Sequence, residues 1–254
     1  MRILALALCH VLFVQNAIAS IQTDKIASLI QVIKTGNRRQ IVGLIKYPLR
    51  RDYPLNSVPN HLECLKRFDE VFDKVFLEEL SNCNLKDDWQ EMGWRGIMFK
   101  NGSLWLDFDY KIIAVNHETT ASQGLKAKTI AQQKMRLPEL LRDFDQPQLE
   151  WKTQLYLVRV DRKGEDYRLA IIDVKAPTKI LRTLHNGVFH FDGNMGAYFI
   201  DWQSEGRTHR VFSGNSNEDD CYLIYDSLVD QSELPGHPAE EHKRVTSELG
   251  TQLN

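Results

Sequence analysis

The sequence predicts an α+β protein in two parts: helices packed on a small antiparallel sheet, followed by an all-β module. Three observations predict it. Residues 24–80 carry apolar side chains at helical spacing. Residues 93–116 read as a strand meander around Asn101-Gly102. From Trp151 onward, short alternating runs are separated by glycine turns.

Taken in order, residues 1–19 hold one basic residue, Arg2, then an apolar run over residues 3–14. Ala17-Ile18-Ala19 is a small-x-small cleavage site. This pattern predicts a secretory signal peptide cut after Ala19. Leu8 precedes Cys9 where a lipoprotein signal wants a small residue, so no lipid anchor is expected. The mature chain is expected in the periplasm or outside the cell. No later stretch is apolar enough to insert into a membrane. The full chain has a formal net charge of −2, which gives no ground for nucleic acid or an anionic membrane as partner.

Residues 24–34 place Ile26, Leu29, Ile30 and Ile33 on one helical face, with Thr23 or Asp24 as cap and Gly36 as stop. Asn37 caps a second helix through Ile45, and Pro48 ends it. Residues 47–60 contain three prolines and read as extended and irregular. Residues 61–80 are helical again, with an apolar stripe through Leu62, Leu65, Phe68, Phe72, Phe76 and Leu80.

Asn-Gly is the strongest short hairpin signal, because a type I′ turn needs positive φ at both central residues. It sets Phe99 opposite Leu104, Met98 opposite Trp105, Ile97 opposite Leu106, Gly96 opposite Asp107 and Arg95 opposite Phe108. Alternation then gives two faces. One carries Arg95, Ile97, Phe99, Leu104, Leu106 and Phe108. The other carries Trp94, Gly96, Met98, Trp105, Asp107 and Asp109. A sheet apolar on both faces is covered on both, lines a cavity or sits in an interface. Trp94 and Trp105 either fill a core or wall a ligand pocket. Arg95 ends an apolar face and needs a partner, and Asp69 on the preceding helix is expected to supply it. The third strand is expected over residues 111–116.

Residues 119–148 read as a linker with a short helix, broken by Pro138 and closed by Pro147. Six runs then read as strands: 151–160, 166–174, 188–191, 197–202, 208–212 and 221–225. They predict a small antiparallel sandwich or barrel over residues 149–226. Residues 227–254 turn polar and are expected to form a flexible tail.

The order of elements over residues 20–118 resembles an NTF2-like (cystatin-type α+β) domain. The runs KYPLRRDYPL, FDEVFDKVF and GWRGIMFKNGSLWL look like a family of exported bacterial proteins of unassigned role, over about residues 24–117. The run NGVFHFDGNMGAYFIDWQSEGRTHRVF resembles the β-rich module found behind such domains. The resemblance implies a curved sheet wrapped on helices as a cone whose mouth often holds the site. It carries no catalytic residue, and fold does not fix function.

Signatures for nucleophiles, metals and phosphates are missing: the chain has no G-x-S-x-G, H-E-x-x-H, P-loop or C-x-x-C. No cofactor and no metal are expected. His185 and His190 are five apart and could form a metal pair, though packing roles suit them better. Asn215, Asn217, Asp219 and Asp220 echo a calcium loop without its glycine or terminal acid. Asp192 and Asn194 set a turn, and His237 and His242 fall in the tail. Three cysteines survive cleavage. Cys64 and Cys83 flank one predicted helix and can pair only if the chain folds back near Leu80. Cys221 in an apolar strand reads as a small buried hydrophobe.

The candidate binding residues are Trp94, Arg95, Met98, Trp105, Asp107 and Asp69, with Asp73 beside them as a candidate for acid–base work. The first expectation is a non-enzymatic exported protein that binds a cell-envelope partner or a small ligand, as an inhibitor or immunity-type module. The second is an NTF2-like enzyme acting on a small apolar or glycan substrate in the cone. A third is a structural envelope protein. A deep cavity with convergent ionisable groups favours the enzyme; a filled cone with an exposed aromatic patch favours binding.

Overall fold

The computed structural model describes residues 22–191 and 197–213, and the backbone of 221–226. The signal segment, Asp192 and Asn194, the acidic run before Cys221, and the tail with His237 and His242 lie outside the described residues. The chain is α+β: helices with a four-stranded antiparallel sheet, then a longer antiparallel sheet that curls into a half-barrel.

The N-terminal helices follow their apolar spacing. α1 (Thr23–Lys34) buries the four expected residues, and Gly36 leaves it with φ +65°. α2 (Arg38–Val42) is capped by the Asn37 side chain, which accepts from the Arg39 and Gln40 N–H groups. The expected single helix over residues 61–80 is three pieces: α3 (His61–Lys66), α4 (Phe68–Val71) and α5 (Lys74–Ser81). Phe72 is extended, and Asp73 caps α5 by accepting the Phe76 N–H at 2.8 Å. The apolar stripe survives these breaks because each piece still turns it inward: Phe68, Val71, Phe72, Phe76 and Leu80 are all buried.

β1 (Trp89–Glu91), β2 (Ile97–Phe99), β3 (Leu104–Leu106) and β4 (Ile112–Val115) form the small sheet in that order. The β2–β3 register is the expected one, with Phe99 opposite Leu104, Met98 opposite Trp105 and Ile97 opposite Leu106. The corner differs in kind. Positive φ falls on Lys100 and Gly102, not on Asn101, so the turn is not type I′. Gly102 N–H instead donates to Phe99 O at 3.0 Å. β1 was not legible as a strand. Its three residues show no alternating run, and only pairing with β2 fixes them.

Ile97, Phe99, Leu104 and Leu106 join the helices in one core. Neither end of that face continues as expected. Arg95 lies in a 3₁₀ turn (Gly93–Arg95), and Phe108 lies in the β3–β4 turn. The strands are too short to carry either inward.

α6 (Thr120–Arg136) replaces the expected short linker helix; it is 17 residues long. Its cap is Thr119, whose hydroxyl oxygen accepts the Ser122 N–H and donates to Asp69 O at 2.8 Å. The polar residues read as a break are therefore its first turn. Pro138 ends it, as expected of a residue that cannot continue a helix.

β5 (Gln146–Lys152), β6 (Tyr156–Lys163), β7 (Asp166–Asp173), β8 (Ile180–Phe191), β9 (Tyr198–Ser204), β10 (Arg207–Ser213) and β11 (Cys221–Asp226) pair as one antiparallel meander, in the order β11-β10-β9-β8-β7-β6-β5. In place of the expected sandwich or barrel there is one open sheet that curls part of the way to a barrel. Its curl is visible in a single bond: the Tyr198 hydroxyl of β9 donates to Gln148 O of β5 at 3.3 Å. Flat strands that far apart in the order stand roughly 19 Å from each other.

One face of this sheet holds Leu149, Val158, Val160, Leu169, Ile171, Ile200, Trp202 and Val211. The other packs Ala170 and Ile172 against Leu137, Leu141 and Phe144, from the segment after α6. Trp202 lies across β8 and donates its indole N–H to Tyr167 O at 2.7 Å. A Cβ on Gly187 would meet that ring at 2.6 Å, so glycine is required there. His209, opposite Trp202, is buried beside Arg182.

Burial, then the Arg182 and Arg207 charges, push the His209 imidazole down to about 4. A depressed folded-state value means that stability is full above the ordinary value near 6.5 and falls as pH drops towards 4. Chemical denaturation at pH 7 and pH 4.5 is expected to show a loss of up to roughly 3 kcal/mol that His209→Gln removes.

Candidate functional site

The six candidate residues divide among three places. Met98 and Trp105 pair across β2–β3 on the face away from the core, and both are half-buried. The Trp105 indole donates to Gly102 O at 3.1 Å and lies against the Gly102 backbone, near the Met98 sulfur. The two side chains cover their own hairpin corner.

Trp94, Arg95 and Asp107 lie at the opposite end of this sheet, where the β1–β2 and β3–β4 connections come together. Trp94 is 61 % exposed and Phe108 is 53 % exposed. The Arg95 guanidinium sits 6.0 Å from the Trp94 ring. Gly96 holds the two connections together: it has φ +98°, and a Cβ there would stand 2.2 Å from Leu106 O.

Asp107 organises the second connection. Its carboxylate accepts the Asp109 and Lys111 N–H groups, each at 3.0 Å, and the Lys46 ammonium at 3.0 Å. Burial works against the charge, but the Lys111 N–H, the Lys46 ammonium and the Asp109 N–H outweigh it. They hold the carboxyl below its usual range. Asp107 is thus an acceptor already in use within its own turn.

Asp69 is not at this surface. It pairs with Arg38 through two bonds of 2.7 and 3.2 Å, and Arg38 lies 4.6 Å over the Phe68 ring. The expected Asp69–Arg95 bridge does not form. Arg95 stands in an exposed turn outside the core face and needs no buried partner. The Asp69 pair is itself exposed, and such pairs contribute about 1 kcal/mol or less.

Two groupings carry ionisable side chains that sequence reasoning did not assemble. The first joins Asp73 to His117. The imidazole stacks on Phe76 with centroids 4.3 Å apart, and its Nε2 lies 3.2 Å from the Asp73 carboxylate. Asp73 was legible as an acid. His117, 44 positions away, was not, because only the fold brings the end of β4 onto α5.

The second lies between α6 and the long sheet. Arg159 is fully buried, its Nε donates to Asp161 at 2.9 Å, and its Nη1 donates to Glu150. Its Nη2 donates to Gln133 Oε1 at 3.0 Å, and Gln133 in turn donates to the Tyr53 hydroxyl at 2.8 Å. Arg168 donates to Asp161 at 3.1 Å and to Leu141 O at 2.7 Å. Burial pushes the Asp161 carboxyl up, against the pull of two guanidiniums. Arg159 and Asp161 are buried, Glu150 and Tyr53 are partly exposed, and the cluster ties α6 and the proline-rich segment to the sheet.

The histidines read as a possible metal pair are separately engaged. His185 Nδ1 lies 2.8 Å from Asp166, and His190 stacks on Phe199. Burial opposes the Asp166 charge, but His185 and the Asn186 N–H hold its carboxyl below the usual range. Cys64 is buried and Cys83 half-buried, both as free thiols, so the bridge between them does not form. An open hollow of about 350 Å³ lies between the end of α6 and β8, lined by Leu137, Pro138, Leu140, Pro177 and Ile180. No candidate residue reaches it. Among the described residues, no three His, Cys, Asp or Glu side chains converge to hold a metal, and no helix is long and apolar enough to cross a membrane.

No family model, curated protein or solved structure matches the chain.

Proposed function

We propose that this chain is an exported, non-enzymatic protein that binds a partner protein in the cell envelope, as an inhibitor or immunity-type module. The proposal keeps an NTF2-like reading for the N-terminal unit. One observation carries it. The space between helices and small sheet is filled by side chains, while Trp94 and Phe108 stand out at one end of that sheet beside Arg95. Exposed aromatics with a neighbouring arginine are the residue types that dominate protein–protein binding energy. Their exposure has no role in the core, so folding alone does not account for them.

The test is capture from envelope extract by the purified chain, compared with Trp94→Ala and Phe108→Ala. Each substitution is expected to weaken capture by about thirtyfold, the effect of losing roughly 2 kcal/mol at an interface centre. Each is expected to move folding stability by no more than about 0.5 kcal/mol, since neither side chain is in the core. Capture unaffected by both changes would remove this surface from the proposal.

A second reading, an NTF2-like enzyme acting on a small apolar or glycan substrate, draws support from the Asp73–His117 pair. A carboxylate fixed on an imidazole is a usable acid–base unit. Turnover of such a substrate that vanishes in His117→Gln, with Trp94→Ala fully active, would favour the enzyme over the binding module.

A further inference from the structure

We propose that the hollow between the end of α6 and β8 binds a small zwitterion with an apolar body, either a free apolar amino acid or a short peptide of such residues. The hollow shares no residue with the Trp94 surface. Its volume is about 350 Å³, and small-molecule sites run from roughly 300 to 1,000 Å³.

Both walls are braced by bonds of their own. One wall is the 3₁₀ turn Glu139–Leu141 with the residues on either side. The Leu141 N–H donates to Pro138 O at 2.9 Å, and the Arg142 N–H donates to Glu139 O at 3.1 Å. Arg168 donates to Leu141 O at 2.7 Å, and Leu137 and Leu141 are anchored in the core with Phe144. The other wall is the β7–β8 connection. There the Asp173 carboxylate accepts the Lys175 N–H at 2.8 Å and the Ala176 N–H at 3.3 Å. The Lys179 N–H donates to Ala176 O at 2.7 Å. Walls that hold their own shape leave little ordering for a ligand to impose.

The lining identifies the chemistry of the occupant. Leu137, Pro138, Pro177 and Ile180 make it apolar. Leu140 also lines it and is 82 % exposed, so folding leaves an apolar group in water beside an apolar hollow. Two opposite charges line the hollow as well, Glu139 and Arg142. They stand three positions apart on a 3₁₀ turn, where side chains eclipse. Among the described residues, they pair neither with each other nor with another charged side chain. The Arg142 Nε is committed to Leu137 O at 2.8 Å. That bond fixes the guanidinium and leaves its two Nη groups without a partner among the described residues. A fork of this kind matches a carboxylate, and the Glu139 carboxylate matches an ammonium. A ligand with both groups on a hydrocarbon body answers fork, acid and floor together. A fatty acid would leave Glu139 unanswered, and a simple amine would leave Arg142 so.

Isothermal titration calorimetry on the purified chain tests this with four probes: leucine, leucyl-leucine, N-acetylleucine and leucinamide. Leucine or leucyl-leucine is expected to bind saturably below about 10 mM, and the tighter of the two distinguishes a free amino acid from a peptide. N-acetylleucine lacks the ammonium and leucinamide lacks the carboxylate. Each is expected to bind at least about tenfold more weakly, the effect of losing one charge-assisted bond. Glu139→Gln and Arg142→Gln are expected to give losses of the same size with an unchanged circular dichroism spectrum. Thr178→Trp, a bulky change in the exposed wall of the hollow, is expected to abolish binding. Three outcomes overturn the proposal: no saturation by either zwitterion, blocked probes that bind as well as the free ones, or binding that Glu139→Gln and Arg142→Gln leave intact.

Discussion

Replacing Arg159 by methionine is expected to lower the unfolding free energy by about 3–5 kcal/mol, the cost of breaking a buried ion pair by removing one partner. Arg159 is fully buried, and its guanidinium serves three acceptors: Asp161, Glu150 and Gln133. Methionine matches much of its volume, so the loss is electrostatic rather than a cavity. Buried Asp161 then keeps only Arg168, and part-exposed Glu150 keeps only Arg136. The face of the Phe144 ring, 4.8 Å from the guanidinium, loses its cation as well. Urea unfolding followed by circular dichroism reads the change.

A cycle with Asp161→Asn separates pairing from packing. The double variant is expected to cost clearly less than the sum of the singles, since the second change removes a charge that the first orphaned. Costs that simply add would mean that the two side chains stabilise the protein independently, against the geometry.

Gly96→Ala is expected to cost a similar amount, on the order of 4 kcal/mol, by a different route. The residue has φ +98°, outside the range that L side chains adopt readily. The new methyl would stand 2.2 Å from Leu106 O. That atom is backbone, so no rotamer change relieves the contact, and β3 must move away from β2. Leu106 is fully buried and pairs with Ile97, so the shift opens the N-terminal core. Gly164→Ala is the control. Gly164 also has positive φ, at +56°, but nothing lies within 4 Å of its Cβ position. It is expected to cost only about 1–2 kcal/mol, the backbone penalty alone. Equal costs at both positions would assign the Gly96 effect to conformation and not to contact.

How much of this could be read in advance differs by feature. The β2–β3 register was legible, because a loop at Asn101-Gly102 sets Phe99 opposite Leu104, and alternation then puts Ile97, Phe99, Leu104 and Leu106 on one buried face. The turn type was not, because Asn-Gly permits positive φ at both positions without compelling it, and the chain placed one at Lys100. The break of residues 61–80 into three helices was hidden by an apolar stripe that continues through extended Phe72. The length of α6 was hidden by polar residues at its start, which serve its cap and first turn.

The candidate site shows the same division. Trp94 and Asp107 were assigned to the face opposite the core, but Arg95 was assigned to the core face and lies instead in an exposed turn. Trp105 lies over its own hairpin corner, and Trp94 belongs to a turn whose geometry depends on Gly96. The Asp69–Arg95 pairing failed because Arg38, 31 positions before Asp69, reaches it first.

By itself the amino-acid sequence determined the class of the protein, the faces of its helices and the register of its central hairpin, all consequences of local spacing and of burying apolar groups. Tertiary structure alone decided that the second half is one curled sheet, that Arg159 of β6 meets Gln133 of α6, and that His117 faces Asp73. Those outcomes join residues far apart in the chain, and pairings of that kind leave no periodic trace in the order of amino acids.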